Sequence, residues 1–386
     1  MTAAFLWISL GVILYVYAGY PLLIAAAARR KPQPRRAAIE GDAWPRIAVL
    51  IPACNEERWI ARKIENSLAL DYPAGKLRIV VASDGSTDRT EQIARSHATR
   101  GVEVISFSTR LGKQEVFNRV IPQLPEEILL LTDANAMLDA QAARCMARHF
   151  VDPLVGCVAG RRVCAVQERS APSFGENIYW RYDSWIKANE TRFYSCTCAD
   201  GQLYAVRRAA VARVEKGGED FFIPMTMASR GLRVVFDREA IAIVPAASGL
   251  AHEFRRKVRS HVSFLLNAWQ LRSLLVPGRN PLWWELISHH VLRMAVPPAM
   301  VVLALSSAAL AGPSPFYRVL FLVQVVFYFL AAAGFVLALR GFRPRIFYFP
   351  FYFTFAQLAL SAAWLEWTRG RRDFAWQRTE RLLDPN

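Results

Sequence analysis

Cysteine is scarce in this chain of 386 residues, which contains only six. Their number and spacing match no zinc-binding pattern, and a disulfide framework is not expected in a chain of this length. Cys196 and Cys198 are the only close pair. They would allow a redox or metal role, but two small buried side chains on a strand or loop are the simpler interpretation. We therefore expect reduced thiols in a cytoplasmic domain.

Acidic residues are also few. The chain has 32 Asp and Glu against 48 Lys and Arg, which gives a net charge of +16. Such a charge suits nucleic acid, anionic lipid or an anionic substrate as a partner. Much of it flanks apolar segments, as at 29–31 and 369–372. This distribution favours membrane lipids. We expect no nucleic-acid partner, because the basic residues do not lie on a groove-reading helix.

Long hydrophobic runs, by contrast, are plentiful, and hydrophobic residues make up 53% of the chain. About twenty apolar residues suffice to span a bilayer, and basic residues hold their end of a span in the cytoplasm. The sequence predicts an N-terminal transmembrane helix over 1–30, a basic linker over 31–45, a globular domain over 46–250, an amphipathic interface helix over 251–280, two or three transmembrane segments over 281–368 and a basic tail over 369–386.

Two points of this organisation stay open. The basic start and the apolar, Trp-bearing continuation of 251–280 are typical of a helix in the membrane interface, but an ordinary amphipathic helix packed on the domain would look the same. The last apolar segment contains Pro350, and if it spans, the basic tail ends outside, against the charge rule. We expect a multi-pass protein of the bacterial cytoplasmic (inner) membrane with its domain facing the cytoplasm. The oligomeric state is not determined.

Strand and helix patterns alternate through 46–250, which predicts an α/β domain with a mostly parallel sheet and right-handed crossovers. The predicted strands are 47–52, 78–82, 102–107, 128–132, 201–206, 234–236 and 240–244, and the predicted helices are 55–70, 87–98, 114–121 and 221–230.

Two of the predicted strands, 78–82 and 128–132, are each followed by a carboxylate near their C-terminal end. In an open α/β sheet, ligands bind at this end of the strands. Asp84 follows one strand and could accept from a uracil imide or a ribose hydroxyl, or it could simply cap the next helix. Asp133 follows the other, with Asn135 two residues later on the same side of an extended turn. Oxygen ligands of this kind suit Mg²⁺ or Mn²⁺, which would stabilise a departing diphosphate.

A third acidic site, Glu219 with Asp220, follows two glycines and precedes an apolar helix. A carboxylate there could take the proton of an acceptor hydroxyl, or it could be a helix-start charge favoured by the helix dipole. Lys113, before a helix, could meet a diphosphate or be solvated. Asn55 and Glu56 could line a base pocket or cap a helix. The joint occurrence of these sites at strand and helix ends favours the functional readings.

As a set, these segments resemble the membrane-bound family 2 glycosyltransferases, the inverting group with a GT-A (Rossmann-like) fold that includes cellulose, chitin and poly-N-acetylglucosamine synthases. The resemblance runs from about residue 47 to 259 and more loosely through the C-terminal membrane segments. Its motifs are 51–56, 84–88, 112–113, 132–135, 201–208 and 219–220.

The resemblance implies a UDP-sugar donor, a lipid-linked or polysaccharide acceptor, and a Mg²⁺ or Mn²⁺ cofactor. It implies Asp220 as catalytic base and Asp133 with Asn135 as metal ligands. The nucleotide-binding residues would be Pro52, Ala53, Asn55, Glu56, Asp84, Lys113 and Asp133. The acceptor-binding residues would be Asp200, Gly201, Gln202 and Glu219. On this reading Asp84, Asp133 and Asp220 converge on one cleft.

Two departures bear on this interpretation. The usual metal motif has a second Asp where this chain has Asn135. The Gln/Arg-x-x-Arg-Trp motif of processive synthases has no clean match at 254–259. A processive polysaccharide synthase that also exports its polymer is therefore the alternative function. A non-catalytic membrane partner that kept the fold is a second alternative, but it would not need the Asp220 base.

Overall fold

Eight strands form one sheet that carries the globular part of the chain. The computed structural model describes residues 1–32, 39, 43–165, 171–215, 217–245, 249–312, 314–340, 342 and 345–370, without the side chains of 171–176 and 345. The strands are β1 (Ile47–Ala53), β2 (Leu77–Asp84), β3 (Val102–Phe107), β4 (Ile128–Leu131), β5 (Met137–Leu138), β6 (Val155–Cys164), β7 (Tyr204–Arg207) and β8 (Arg233–Val244).

The strand order is β3-β2-β1-β4-β7-β6-β8-β5. β3, β2, β1 and β4 run parallel, β7 lies antiparallel between β4 and β6, β8 is parallel to β6, and β5 is antiparallel to β8. Four of these seven pairings are parallel, so the predicted mostly parallel α/β sheet is confirmed. The parallel strands deliver their carboxyl ends to one edge of the sheet.

Fourteen α-helices surround or follow this sheet within the described ranges. They are α1 (Thr2–Leu14), α2 (Tyr20–Arg29), α3 (Ile60–Leu68), α4 (Thr90–Arg95), α5 (Lys113–Val120), α6 (Ala142–Ala147), α7 (Ala171–Phe193), α8 (Glu219–Ser229), α9 (Leu250–Gln270), α10 (Trp283–Glu285), α11 (Leu292–Met294), α12 (Val296–Leu310), α13 (Pro315–Leu339) and α14 (Arg345–Thr368). Short π-helical turns join α1 to α2 and α10 to α11.

The core lies on both faces of β1, whose seven residues are all buried. Successive side chains of a strand point to opposite faces. Val49 and Ile51 accordingly pack in the cluster that contains Ile64 of α3, whereas Leu50 packs in the cluster that contains Phe117 of α5. Burial on both faces explains why this strand is a continuous apolar run in the sequence.

Several predicted boundaries were wrong. The helix predicted over 55–70 begins only at Ile60, because the chain first turns at Asn55, whose φ is +56°. The helix predicted over 87–98 is the short α4, and the two strands predicted at 234–236 and 240–244 are the single strand β8. The strand predicted over 201–206 begins at Tyr204, and the helix predicted from 221 begins at Glu219.

Four elements were missed altogether, namely β5, α6, β6 and α7. The 23-residue helix α7 matters most for the site. It contacts the N-terminal helix: Tyr182 of α7 donates to the backbone oxygen of Tyr17 over 2.9 Å. Its apolar residues therefore contact several different elements and do not form one regular stripe.

Three helices in the described part of the chain are long and apolar enough to cross a membrane: 2–29, Pro315–Leu339 and Ile346–Thr368. A fourth is possible if 283–294 and Val296–Leu310, which meet at 56°, count as one broken span. This bend coincides with Pro297 and Pro298, which remove backbone donors. The first of the transmembrane segments predicted over 281–368 thus corresponds to a helix pair that begins at Trp283.

The predicted interface helix corresponds to α9 and lies beside the last apolar helix. Phe254 of α9 contacts Phe355 of α14 edge to face, with ring centres 5.5 Å apart. The other side of α9 faces the domain, where Asn267 donates to the backbone oxygen of Gly218 over 2.8 Å. Most of the predicted linker, at 33–38 and 40–42, and the predicted tail from 371 onward lie outside the described residues.

Candidate active site

A cavity of about 820 Å³ lies where the globular domain meets the apolar helices. One wall comes from the loop after β4 and the first turn of α8, and the opposite wall comes from α7, α9, α11 and α14. The predicted site residues on its surface are Glu56, Lys113, Asp133, Asn135, Asp200, Gly201, Gln202, Glu219 and Asp220. The structure therefore brings most of the predicted site into one space.

Asp133 is held firmly at the end of β4. Its Oδ1 accepts from Lys113 Nζ over 2.7 Å, and its Oδ2 accepts from Gln202 Nε2 over 2.5 Å. Thr132, just before it, donates to the backbone oxygen of Gln202 over 2.8 Å. These bonds join the β4 end to the loop before β7, so the two motifs act as one unit.

Lys113 is the charged centre of the site. Its ammonium lies 2.7 Å from Asp133 Oδ1 and 2.6 Å from Glu219 Oε1. Burial opposes the charged form, but the two carboxylates outweigh it and hold the pKa of Lys113 above its ordinary value. A permanent cation thus lies between the end of β4 and the start of α8.

Asp220 occupies the first turn of α8 and reaches the cavity surface. Burial, followed by the charges of Glu219 and Asp200, raises the pKa of Asp220 to about 7, although Lys113 and Lys187 partly oppose the shift. A carboxylate with this pKa can accept a proton near neutral pH, which is the property of a general base.

Glycines make room around Asp220. A Cβ on Gly201 would lie 3.4 Å from Asp220 Oδ2, and a Cβ on Gly218 would lie 2.9 Å from Asp220 Oδ1. At Gly217 the φ is +136°, and a Cβ would lie 2.0 Å from Asn267 Oδ1. The paired glycines before α8 therefore allow α9 and the Asp220 carboxylate to approach the same backbone closely.

The structure does not bring Asp84 into the cavity, so the predicted convergence of three acids was wrong for this residue. Asp84 is 2% exposed, and its carboxylate accepts from the backbone N–H groups of Leu111 over 2.6 Å and of Gly112 over 2.9 Å. These bonds fix the loop that precedes Lys113. Asp84 therefore positions the site residue next to that loop, and its direct contact with a nucleotide stays a prediction.

Pro52, Ala53 and Asn55 also do not line this cavity. The Asn55 side chain accepts from the Thr87 backbone N–H over 2.8 Å, which ties the turn after β1 to the turn after β2. These residues form the rim beside Glu56, and their nucleotide contact also stays a prediction.

A divalent cation fits the end of β4. Asn135 Oδ1 is buried and has no hydrogen-bond partner among the described residues, so it has a lone pair to offer. Together with the Asp133 carboxylate it forms a set of hard oxygen donors, as Mg²⁺ and Mn²⁺ prefer. No group of three or more His, Cys, Asp or Glu in the described ranges could hold a metal. A diphosphate and water would have to complete the coordination.

Sequence reasoning missed two contributions. Lys63 of α3 is fully buried below the site and donates to Thr132 Oγ1 over 3.0 Å and to the backbone oxygen of Ala136 over 2.5 Å. The second contribution is a group of basic residues on the cavity surface, which includes Lys187 on α7 and Arg293 on α11. The spacing of Asp183 and Lys187, which pair over 3.0 Å, was the one local signal for it.

The fold defines the class of protein first. The structure superposes on the mannosyltransferase PcManGT from Pyrobaculum calidifontis, solved in complex with GDP-Man and Mn²⁺, with a TM-score of 0.70. The match covers 95% of this chain and 98% of that one at 22% sequence identity. It places the chain among GT-A-like folds that include terminal helices.

The sequence is similar to one enzyme family over part of its length. Residues 48–214 match the family model described as glycosyl transferase family 2. An N-acetylglucosaminyltransferase of Rhizobium sp. (strain N33) is 25% identical over 240 residues, which is 57% of this chain and 53% of the relative. A beta-monoglucosyldiacylglycerol synthase of Nostoc sp. is 30% identical over 190 residues, which is 47% of this chain and 39% of the relative. The matches thus span about half the length of these relatives or less. Over residues 48–214 the chain is therefore similar to the family 2 glycosyltransferases.

Proposed function

We propose that this protein transfers a sugar, with inversion, from a UDP-sugar to a lipid-linked or polysaccharide acceptor at the cytoplasmic face of a bacterial inner membrane. One observation carries the proposal. A single cavity holds Asp133 with the unpartnered Asn135 oxygen, holds Asp220 with its raised pKa, and is walled on its far side by apolar helices.

Asp220 is the proposed catalytic base. The acceptor oxygen forms its bond to the anomeric carbon while the bond from that carbon to the diphosphate oxygen breaks. The hydroxyl proton passes to the Asp220 carboxylate, and the diphosphate leaves with the bonding electrons. Attack opposite to the leaving group inverts the configuration at the anomeric carbon.

The charge on the leaving diphosphate is met by the opposite side of the site. Lys113 supplies a fixed positive charge there. Asp133 and Asn135 would hold Mg²⁺ or Mn²⁺, which when bound offsets negative charge on the diphosphate. The Mn²⁺ in the mannosyltransferase complex supports a metal requirement.

The proposal also specifies where the donor nucleotide binds and which nucleotide it is. Glu56, Arg110 and Gly112 line the rim nearest to the β1 and β2 turns and would meet the donor there. We propose UDP as the nucleotide. The GDP-Man of the mannosyltransferase complex makes a GDP-sugar the second candidate.

The apolar wall favours an acceptor attached to a lipid. Tyr17 of the N-terminal helix, Met294 of α11 and Leu360 of α14 all line the cavity. The relative named beta-monoglucosyldiacylglycerol synthase supports a lipid acceptor in this family. The alternative, a processive synthase that exports its polymer, predicts long polymer from one purified protein and one donor.

The decisive experiment screens the purified full chain against a panel of UDP-sugars and GDP-mannose, with Mg²⁺, Mn²⁺ or chelator. We expect nucleotide release with one donor and only with metal. Asp220→Asn should abolish transfer while nucleotide binding persists, because it removes the proton acceptor only.

A matched control keeps this test specific. Asp152→Asn makes the same chemical change at a carboxylate outside the cavity, and it should keep wild-type turnover. Wild-type turnover in Asp220→Asn would refute the assigned base. Absence of nucleotide release with every donor, in protein shown to be folded, would refute the enzymatic function.

A further inference from the structure

The cavity carries a second group of cations besides Lys113. Four cations, on α7, α9 and α11, make up this group: Lys187, Arg256, Lys257 and Arg293. Two carboxylates pair with members of the group, Asp183 with Lys187 and Glu253 with both Arg256 and Lys257. The cations therefore exceed the carboxylates by two, and we call these four residues the basic wall.

Arg293 has a hydrogen-bond donor that pairs with no other described residue. Its Nη1 donates to the neutral hydroxyl of Tyr179 over 3.0 Å, and its Nε is buried without a hydrogen-bond partner in the described part of the chain. Lys257 Nζ lies 5.4 Å from the centre of the same Tyr179 ring and is only 14% exposed in its side chain. A buried guanidinium with an unused donor is well suited to a phosphate oxygen.

A neighbouring histidine reports the local potential. Burial, followed by the charges of Lys257 and Arg293, lowers the pKa of His261 to about 3. His261 lines the same cavity and stays neutral at ordinary pH. The site thus disfavours a further positive charge at His261.

The basic wall adjoins the proposed base. Lys187 pairs with Asp183 over 3.0 Å, and its charge also acts on Asp220, where it opposes the raised pKa. An anion held by the basic wall therefore lies within the cavity that Asp220 serves. The proposed function assigns the donor diphosphate to Lys113 and Asp133, so the basic wall would hold a different anion.

The surroundings of the basic wall are apolar. Tyr17, Met294, Ala356 and Leu360 belong to helices that are apolar enough to enter a membrane, and they line the cavity next to Arg293. A ligand here would combine a negative head with a hydrocarbon tail. A neutral polysaccharide would use neither the surplus charge nor the apolar surface.

We propose that Arg293 and Lys257 bind the phosphate group of a lipid acceptor, so that the acceptor is a phosphate-bearing amphiphile. This rests on the proposed function for its role in transfer, but the binding site stands on its own. It narrows the acceptor to the lipid-linked class. Phosphate on an alkyl chain and free phosphate share one recognition chemistry, so the test must separate them.

The test measures binding to the purified full chain in neutral detergent by microscale thermophoresis. The probes are decyl phosphate, inorganic phosphate and decyl glucoside. We expect decyl phosphate to bind most tightly. Arg293→Gln and Lys257→Gln should each weaken it by about tenfold, since each removes a charge-assisted contact.

Arg272→Gln is the matched control, because Arg272 is exposed, lies just beyond α9 and does not line the cavity. It should change the affinity by less than about twofold, as expected for a surface charge. Arg293→Lys keeps the positive charge and should retain more affinity than Arg293→Gln, which guards against a folding artefact. A parallel titration with UDP and Mn²⁺ should be unchanged in all variants.

The outcomes are separable. Equal binding of decyl phosphate and decyl glucoside, or wild-type affinity in both Gln variants, would overturn the proposal. Equally tight binding of inorganic phosphate would overturn the lipid assignment. If the wild type does not bind UDP but binds decyl phosphate in a way that depends on Arg293, the proposed function is refuted. The phosphate site is then still supported.

Discussion

At the scale of single residues, the site depends on the Asp220 carboxylate, whose pKa is raised above its ordinary value. Burial, followed by the nearby charges of Glu219 and Asp200, raises the pKa of Asp220 to about 7. Ordinary carboxyl groups titrate near 4, so this one changes charge in the working range of the proposed reaction.

The first prediction concerns pH. As the proposed base, Asp220 would act only when ionised, so transfer should fall about tenfold per pH unit below its pKa and level off above it. The measurement is the pH profile of kcat/KM with saturating metal. A profile that stays flat between pH 5.5 and 8.5, about 1.5 units on either side of that pKa, would contradict the role given to Asp220.

The second prediction concerns stability at the same residue. The folded protein disfavours the ionised carboxylate, so its ionisation costs stability as the pH rises above the unfolded pKa. Asp220→Asn should therefore raise the thermal unfolding midpoint at pH 8. This gain should shrink as the pH falls below 7 and vanish near pH 3, roughly one unit below the ordinary pKa of Asp, where the carboxyl is mostly neutral in both the folded and the unfolded protein. An unchanged or lower midpoint at pH 8 would show that the carboxylate is better stabilised than its environment indicates.

Lys63 carries the third prediction. Burial lowers the pKa of Lys63 to about 7, and its amine holds the loop between Thr132 and Ala136. Lys63→Met should raise the Mn²⁺ concentration needed for half-maximal rate by about tenfold, because residues that orient a metal ligand typically contribute this much. The Lys76→Met control, at the opposite edge of the sheet, should leave it unchanged. If both variants respond alike, Lys63 has only a general structural role.

At the scale of elements, the ends of strands and the loops after them form a connected rim. Asp84 fixes the loop before α5, Asn55 joins the β1 and β2 turns, and Gln202 joins the β7 loop to the end of β4. Each of these bonds links segments distant in sequence. The rim therefore orders several site residues at once.

The fourth prediction compares two glycines in this context. Both Gly85 and Gly101 have positive φ, at +60° and +84°, so Ala costs roughly 1–2 kcal/mol at either position. At Gly85 a Cβ would also lie 2.5 Å from the backbone nitrogen of Arg110, whereas nothing lies within 4 Å at Gly101. Gly85→Ala should therefore lower the thermal midpoint further and raise the donor KM, and Gly101→Ala should leave KM unchanged. Equal KM values would show that the Arg110 loop does not serve the donor.

Some elements could be predicted and others could not, for a physical reason. β1, β2 and β4 contain continuous apolar runs, because both of their faces are buried, and they were found within a few residues. α7 was missed, because its side chains face several partners. The start of α3 was misplaced, because Asn55 turns the chain through hydrogen bonds to residues more than thirty positions away.

At the scale of the whole molecule, apolar helices and the globular domain share one cavity. The helices 2–29, α13 and α14 are long and apolar enough to cross a membrane, and α9 and α14, which pack on each other, both line the cavity. This arrangement joins the proposed chemistry to a lipid surface.

The fifth prediction follows from these helices. The protein should stay in the membrane pellet after high-salt and alkaline carbonate washes, and it should be released only by detergent. Buried apolar surface, unlike surface charge, is not screened by salt. Fractionation followed by immunoblotting measures this. Release by salt alone would mean that the basic surface, and not the helices, attaches the protein.

The amino-acid sequence by itself determined the elements that depend on local order. Apolar run length set the strands and candidate spans, and glycine and carboxylate placement marked the strand and helix ends where Asp133 and Asp220 lie. Only the tertiary structure decided which groups meet. The Asp84 carboxylate accepts from backbone amides, the Lys63 amine donates to the loop that contains Asp133, and Arg293 lines the same cavity as Asp220. Contacts between residues far apart in the chain depend on packing, which local pattern does not specify.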